Sequence, residues 1–142
     1  MVNANETLKK ETVQNAYRGD GFAHITQVLE KEGLSGNLLA LETYTLEENC
    51  GLGKHFYVGE SALIYCISGA GWMDDNGEVK KIEAGDSAIF KSGEFFSVRN
   101  AEYHDFTRTN KEPMVLLVGI VADENTHAGD APALTRGQYK TE

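Results

Sequence analysis

The sequence predicts an all-β protein, a sandwich or barrel. Three observations carry this. Apolar runs between residues 21 and 122 are short and stand close together, each ended by turn residues. No long helical period runs through that stretch. Fifteen Gly against two Pro suit a chain rich in hairpins, because Gly supplies the positive-φ positions that tight turns need.

Residues 1–20 are polar and weakly periodic. They read as an arm, with a short helical turn around Glu11 to Tyr17. The candidate strands follow as 22–29, 37–46, 53–58, 62–68, 71–74, 78–82, 87–91, 94–99, 103–109 and 114–122. Turn signals separate them at Gly33 to Gly36, Glu47 to Gly51, Gly69-Ala70-Gly71, Asp74 to Gly77 and Glu83 to Asp86. Asn76-Gly77 is a strong two-residue hairpin signal. Residues 123–142 are a polar tail with Gly129, Pro132 and Gly137, expected to be irregular or peripheral. The expected organisation is therefore arm 1–20, barrel domain 21–122 and tail 123–142.

A chain of 142 residues suits one domain. Its net charge of −9 argues against a nucleic-acid binder, which needs a basic stripe to neutralise phosphates. The same charge argues against docking on anionic lipid. No apolar run approaches a transmembrane span, and the first twenty residues lack the apolar core of a secretory signal. Two cysteines, Cys50 and Cys66, are too few for a disulfide framework and form no CxxC, so reduced thiols in the cytoplasm are expected. There is no GxGxxG, P-loop or GxSxG, so dinucleotide, phosphate and serine-hydrolase chemistries lack their signatures.

From Gly53 to Val121 the chain resembles the cupins, most of all the small single-domain bacterial, germin-like kind. The first cupin motif reads His-x-His, four residues, Glu, six residues, Gly. His55, Tyr57, Ala62 and Gly69 stand at those spacings. The second reads Gly, five residues, Pro-x-Gly, two residues, His, three residues, Asn. Gly85, Lys91, Gly93, Phe96 and Asn100 fit it. The resemblance covers about 70 residues closely and about 100 loosely. It implies a double-stranded β-helix, the cupin jelly-roll barrel, with a pocket at one end. It also implies a homodimer, in which residues 1–36 are available to add a strand to the partner's sheet.

The departures concern the metal. The family binds it with two His and a Glu from the first motif and a His from the second. At these spacings only His55 remains, since Tyr57, Ala62 and Phe96 replace the others. One imidazole and one phenol do not make a tight divalent site, which needs about three protein donors. In a second register His104, nine residues before Pro113, is the second-motif ligand and Arg108 takes the Asn position. The metal candidates would then be His55 and His104, with Tyr57 and a displaced Glu60. Residues 55 and 57 share a strand face, whereas 60 falls on the other unless a bulge at Gly59 intervenes.

The expected pocket is His55, Tyr57, Ile64, Cys66, Phe96 and, in the second register, His104. Each has a plainer reading. His55 also fits a core imidazole bonded to a backbone carbonyl, and His104 a surface residue beside Asp105. Tyr57 suits a pocket wall with a hydroxyl handle better than a ligand. Phe96 reads as an apolar plug, Cys66 as a small buried hydrophobe, and Tyr65 and Trp72 as packing. The acidic pairs Glu47-Glu48 and Asp74-Asp75 sit in turns and should face water. His24 and His127 carry no assigned role.

Three functions fit. The first is a small-molecule-binding cupin with a degenerate metal site, holding an anionic or hydroxylated metabolite and needing no cofactor. The second is an enzyme using His55 and His104 on manganese, iron, zinc or nickel, with dioxygenase, isomerase or lyase chemistry. The third is a non-catalytic dimeric scaffold. Fold alone does not choose among them.

Overall fold

The structure, a computed structural model, describes residues 2–29, 34, 36–101, 111–123 and 139–141. The strands are β1 (Lys10–Gln14), β2 (Phe22–Gln27), β3 (Leu38–Leu46), β4 (Gly51–Tyr57), β5 (Glu60–Ser68), β6 (Ala70–Asp75), β7 (Glu78–Glu83), β8 (Ser87–Phe90), β9 (Phe96–Arg99), β10 (Met114–Ala122) and β11 (Tyr139–Thr141). They form two antiparallel sheets. One runs in the order β1-β2-β3-β10-β5-β8, the other β11-β4-β9-β6-β7. Consecutive strands often change sheet, as β4 and β5 do, which is how a double-stranded β-helix winds.

Alternation drives the strands. In β5, Glu60, Ala62, Ile64 and Cys66 are buried while Leu63, Tyr65 and Ile67 point out. In β3, Ala40, Glu42, Tyr44 and Leu46 turn inward between the half-buried Leu41, Thr43 and Thr45. The core is closed by Ile25, Leu39, Leu52, Met73, Ile82, Val98, Met114, Leu116 and Ile120. The Asn76-Gly77 turn joins β6 to β7 in the expected register, Asp75 opposite Glu78. Both central residues have positive φ, 51° and 93°, as a hairpin matched to strand twist requires.

The arm differs from expectation. Glu11 to Gln14 belong to strand β1, not to a helical turn, and β1 pairs with β2 of its own chain from Lys10↔Thr26 to Gln14↔Phe22. Short 3-10 turns are formed by Asn5–Thr7 and Ala16–Arg18. The strand expected at 103–109 lies outside the described residues.

Candidate functional site

Two irregularities decide what faces the barrel interior. In β4 the pairing with β9 shifts between Leu52 and His55, a β-bulge at Gly53-Lys54. Leu52 faces inward, so strict alternation would turn Lys54 and Phe56 in after it. The extra residue turns His55 and Tyr57 in instead. The second irregularity is the corner Val58-Gly59, where the chain leaves one sheet for the other with Gly59 at φ 77°. The corner resets the parity and buries Glu60. Glu60 and Ala62 therefore share a face of β5.

His55 sits among three aromatic rings. Tyr17 stacks on it at 3.7 Å with planes 8° apart. Phe96, its cross-strand partner, lies at 4.4 Å. Tyr57 presents an edge at 5.6 Å. The Tyr17 and Tyr57 hydroxyls are 3.3 Å apart, and Phe96 stacks in turn on Phe90 at 4.4 Å.

The protonation of His55 follows from its surroundings. Its Nδ1 lies 2.6 Å from the Gly53 carbonyl oxygen. A carbonyl only accepts, so Nδ1 carries the hydrogen and donates it. Burial holds the imidazole down at about 4, with the Gly53 hydrogen bond opposing. At neutral pH the ring is uncharged and its Nε2 is an acceptor.

Tyr17 comes from the turn between β1 and β2, which has an unusual backbone. Asn15, Tyr17 and Arg18 all have positive φ (52°, 53° and 65°), a conformation costly for residues with side chains. The turn lies against β4 so closely that a Cβ on Gly53 would collide with the Tyr17 carbonyl oxygen. Gly53 thus permits both the bulge and the close approach that brings Tyr17 onto His55.

On the opposite sheet β3 contributes two inward polar residues. Tyr44 donates to Glu42 Oε1 at 3.3 Å, and both are buried. Glu42 lies in one rung with Val118 and, beyond it, Ile64, and Tyr44 in one rung with Leu116 and Cys66. Cys66 is buried, and burial raises its thiol further, ahead of the nearby Asp86 charge, so it is held as a thiol.

Of the residues singled out by sequence, His55, Tyr57, Ile64, Cys66 and Phe96 are all buried, on inward positions of β4, β5 and β9. Glu60 is buried as well. His104, Arg108 and His127 lie outside the described residues. Glu47 and Glu48 are exposed as expected. Asn100 is fully buried, and its Nδ2 donates to the carbonyls of Leu46 and Glu112 at 2.9 and 3.0 Å. Tyr17, Glu42 and Tyr44 were not anticipated. For Glu42 and Tyr44 a signal existed, since they alternate with Thr43 and Thr45 at the parity of Leu46. For Tyr17 there was none, because its place depends on a turn with rare dihedral angles.

Among the described residues no three His, Cys, Asp or Glu side chains converge as a metal-binding group. Ala62 and Phe96 bring no donor atom to the two positions where the family's ligands stand. Among the described residues, His55 and Tyr57 at the other two positions fall short of the three protein donors that a tight divalent site needs.

The two-sheet fold is the double-stranded β-helix of the cupins. The chain is similar to an oxalate-binding protein of Thermotoga maritima, with 29% identity over 100 residues, 70% of this chain and 83% of that protein. It is also similar to the crystal structure of a predicted oxalate decarboxylase from Thermotoga maritima. There the TM-score is 0.75 at 25% identity, covering 86% of this chain and 99% of the other. An RmlC-like cupin from Shewanella frigidimarina aligns with a TM-score of 0.62 at 12% identity, over 84% and 88% of the two chains, and shows the fold alone. No family model matches the sequence.

Proposed function

We propose that the chain is a small-molecule-binding cupin whose pocket is built around His55 and Tyr57 and works without a metal. One observation supports this above others. The Gly53 carbonyl fixes the His55 tautomer, and burial keeps the ring neutral, so Nε2 is an oriented acceptor in an otherwise largely apolar barrel. An acceptor of this kind pairs with a hydroxyl or a protonated acid, with the Tyr57 hydroxyl as a second handle. The preferred ligand class is therefore a hydroxylated metabolite, and a fully ionised dicarboxylate is disfavoured. The oxalate named for the Thermotoga relative would need a protonated carboxyl, or a cation carried in with it, to suit this interior. Ile64, Cys66 and Phe96 are the apolar wall. In this reading the protein is dimeric and arm 1–20, barrel 21–122 and tail 123–142 remain the working division of the chain.

A second reading is favoured by the buried carboxylate of Glu60. Together with His55 and His104 it would supply a reduced metal site for a metal-dependent enzyme. One experiment separates the two. A thermal-shift screen of hydroxylated and acidic metabolites is run with metal content measured on protein purified without nickel resin. The expected result is stabilisation by hydroxylated compounds, lost in the His55→Ala, Tyr57→Phe double variant, with less than stoichiometric metal. Stabilisers that act equally on both proteins would overturn the pocket. About one metal per chain, lost in His55→Ala, would replace the first reading by the second.

A further inference from the structure

Beside the turn that carries Tyr17, the outer face of the five-stranded sheet is hollowed into a cleft of about 160 Å³. Arg18, Lys54 and Arg99 stand around it with one acid, Asp20, among the described residues. The cleft thus holds an excess of positive charge in a molecule with 22 acidic and 13 basic residues. Charges beyond about 8 Å are largely screened at physiological ionic strength, so the near groups set the potential here. On the same face Lys81 and Asp74 flank Trp72. Each is already engaged, Lys81 by Glu83 at 3.2 Å and Asp74 by the Gly77 amide at 2.7 Å.

Each cation reaches the cleft by its own local cause. The β-bulge at Gly53-Lys54 that turns His55 into the barrel leaves Lys54 outside, where its Nζ lies 5.4 Å from the Phe95 ring centroid. Arg99 follows the buried Val98 on β9 and so points outward. It is held in place. Its Nε donates to Asn49 Oδ1 at 3.2 Å, its Nη2 to the same oxygen, and its Nη1 to Asp20 Oδ2 at 2.6 Å. That fixes the guanidinium plane and leaves an N–H on each Nη to donate. Trp72, in register with Arg99, is an apolar wall. Arg18 is the informative residue. The left-handed backbone of Tyr17 is accounted for by the stack on His55. Arg18, at φ 65°, has no such account. Among the described residues its guanidinium makes no ion pair or hydrogen bond, although it lines the cleft. Backbone strain held without an internal contact to explain it recurs at ligand clamps.

We propose that this cleft binds a small oxyanion, a phosphate or a carboxylate, on the outside of the barrel. Guanidinium groups match such oxygens two N–H at a time, and Lys54 adds a point charge. The indole wall keeps water from one side, which strengthens a charged hydrogen bond. The Asp20–Arg99 pair does not fill the site. Asp20 is 65% exposed, and an exposed pair of this kind contributes little. Size limits the ligand to the anion and few further atoms, since drug-sized ligands need roughly 300 Å³ or more. The site is separate from the barrel pocket, because β4 lies between them with Lys54 outward and His55 inward. It stands or falls independently of the ligand proposed for the interior.

Trp72 is the single tryptophan of the chain, so its fluorescence reports on the cleft. Sodium phosphate and, separately, sodium acetate are titrated into the full chain at constant ionic strength, with chloride as the balancing ion. Calorimetry on the same samples reads any binding that leaves the indole unmoved. The expected result is saturable binding of at least one of the two anions, weakened by about tenfold or more in Arg18→Gln. Which of the two binds shows whether the oxyanion is a phosphate or a carboxylate. Lys91→Gln removes one exposed charge outside the cleft and should leave the affinity unchanged. No saturable binding of either anion by either measurement overturns the proposal. So does an affinity that Arg18→Gln leaves unchanged, or that Lys91→Gln lowers as much, since the anion would then be answering the net charge and not this cleft.

Discussion

His55 is neutral in the folded chain down to a pH of about 4, whereas an unfolded histidine takes its proton near 6.5. Below pH 6.5 the unfolded chain therefore binds more protons, and stability falls as pH falls. The contribution is intact above 6.5 and is lost progressively toward about 4, to the extent of ~3 kcal/mol. Urea unfolding at pH near 7 and near 4 measures it, with His55→Asn as the reference that removes the ionisable ring. Wild type should lose ~3 kcal/mol more than the variant across this interval. Equal losses would mean that the ring is open to water in the folded chain. The residue scale is also where the sequence was least legible. His55 and Tyr57 stood out through their spacing, but the ring stacked on His55 belongs to Tyr17, thirty-eight residues earlier in the chain. No periodicity links the two.

Elements were legible where alternation or turn chemistry is local. β3, β5, β6, β7 and β10 lie within a residue or two of where the pattern placed them, because each run is bounded by turn residues close to it in sequence. The corner at Gly59 and the bulge at Gly53 were legible only as opportunities. A glycine permits an irregularity, and only tertiary contact makes the chain use it. β1 was misread because KETVQ is too polar to announce a strand. It is held by edge pairing with β2, not by a buried face. Two substitutions separate the ways a glycine can matter. At Gly77 a Cβ would meet nothing, but φ is 93°. Gly77→Ala should cost only backbone strain, about 1 kcal/mol. At Gly53 φ is ordinary, but a Cβ would strike the Tyr17 carbonyl. Gly53→Ala should cost about 3 kcal/mol by overpacking. For a chain of this length the expected falls in Tm are about 4 °C and about 12 °C. Calorimetry giving the reverse order would place the turn carrying Tyr17 away from β4.

For the whole molecule, net charge and the exposed apolar residues of β5 and β8 act against each other. The net charge of −9 opposes self-association at every distance within a Debye length, whereas the exposed Leu63, Tyr65, Ile67 and Ile89 favour it only on contact. Raising ionic strength from about 0.01 M to about 0.15 M shortens that length from about 30 Å to about 8 Å. The dimer proposed above should therefore tighten with added salt, by about tenfold or more in the dissociation constant measured by sedimentation equilibrium. An interface made of ion pairs would weaken instead, so the sign of the salt effect identifies the kind of contact.

The place of β10 in its sheet has a consequence for how the chain comes to be folded at all. β10 lies between β3 and β5 and pairs with both along its whole length, for example Val121 with Leu38 and Ser61. During synthesis β3 and β5 emerge long before it, and neither has its central neighbour until residue 122 has left the ribosome. Contacts so distant in sequence make folding slow, in the range of milliseconds to seconds for barrels of this type. Emergence adds several seconds more, at roughly 5–20 residues per second. Through that interval β5, apolar on both sides, has an open edge of the kind that recruits other chains. The yield of native protein in a cell is thus governed by how long two waiting strands can be kept apart from strangers before the last long strand arrives between them.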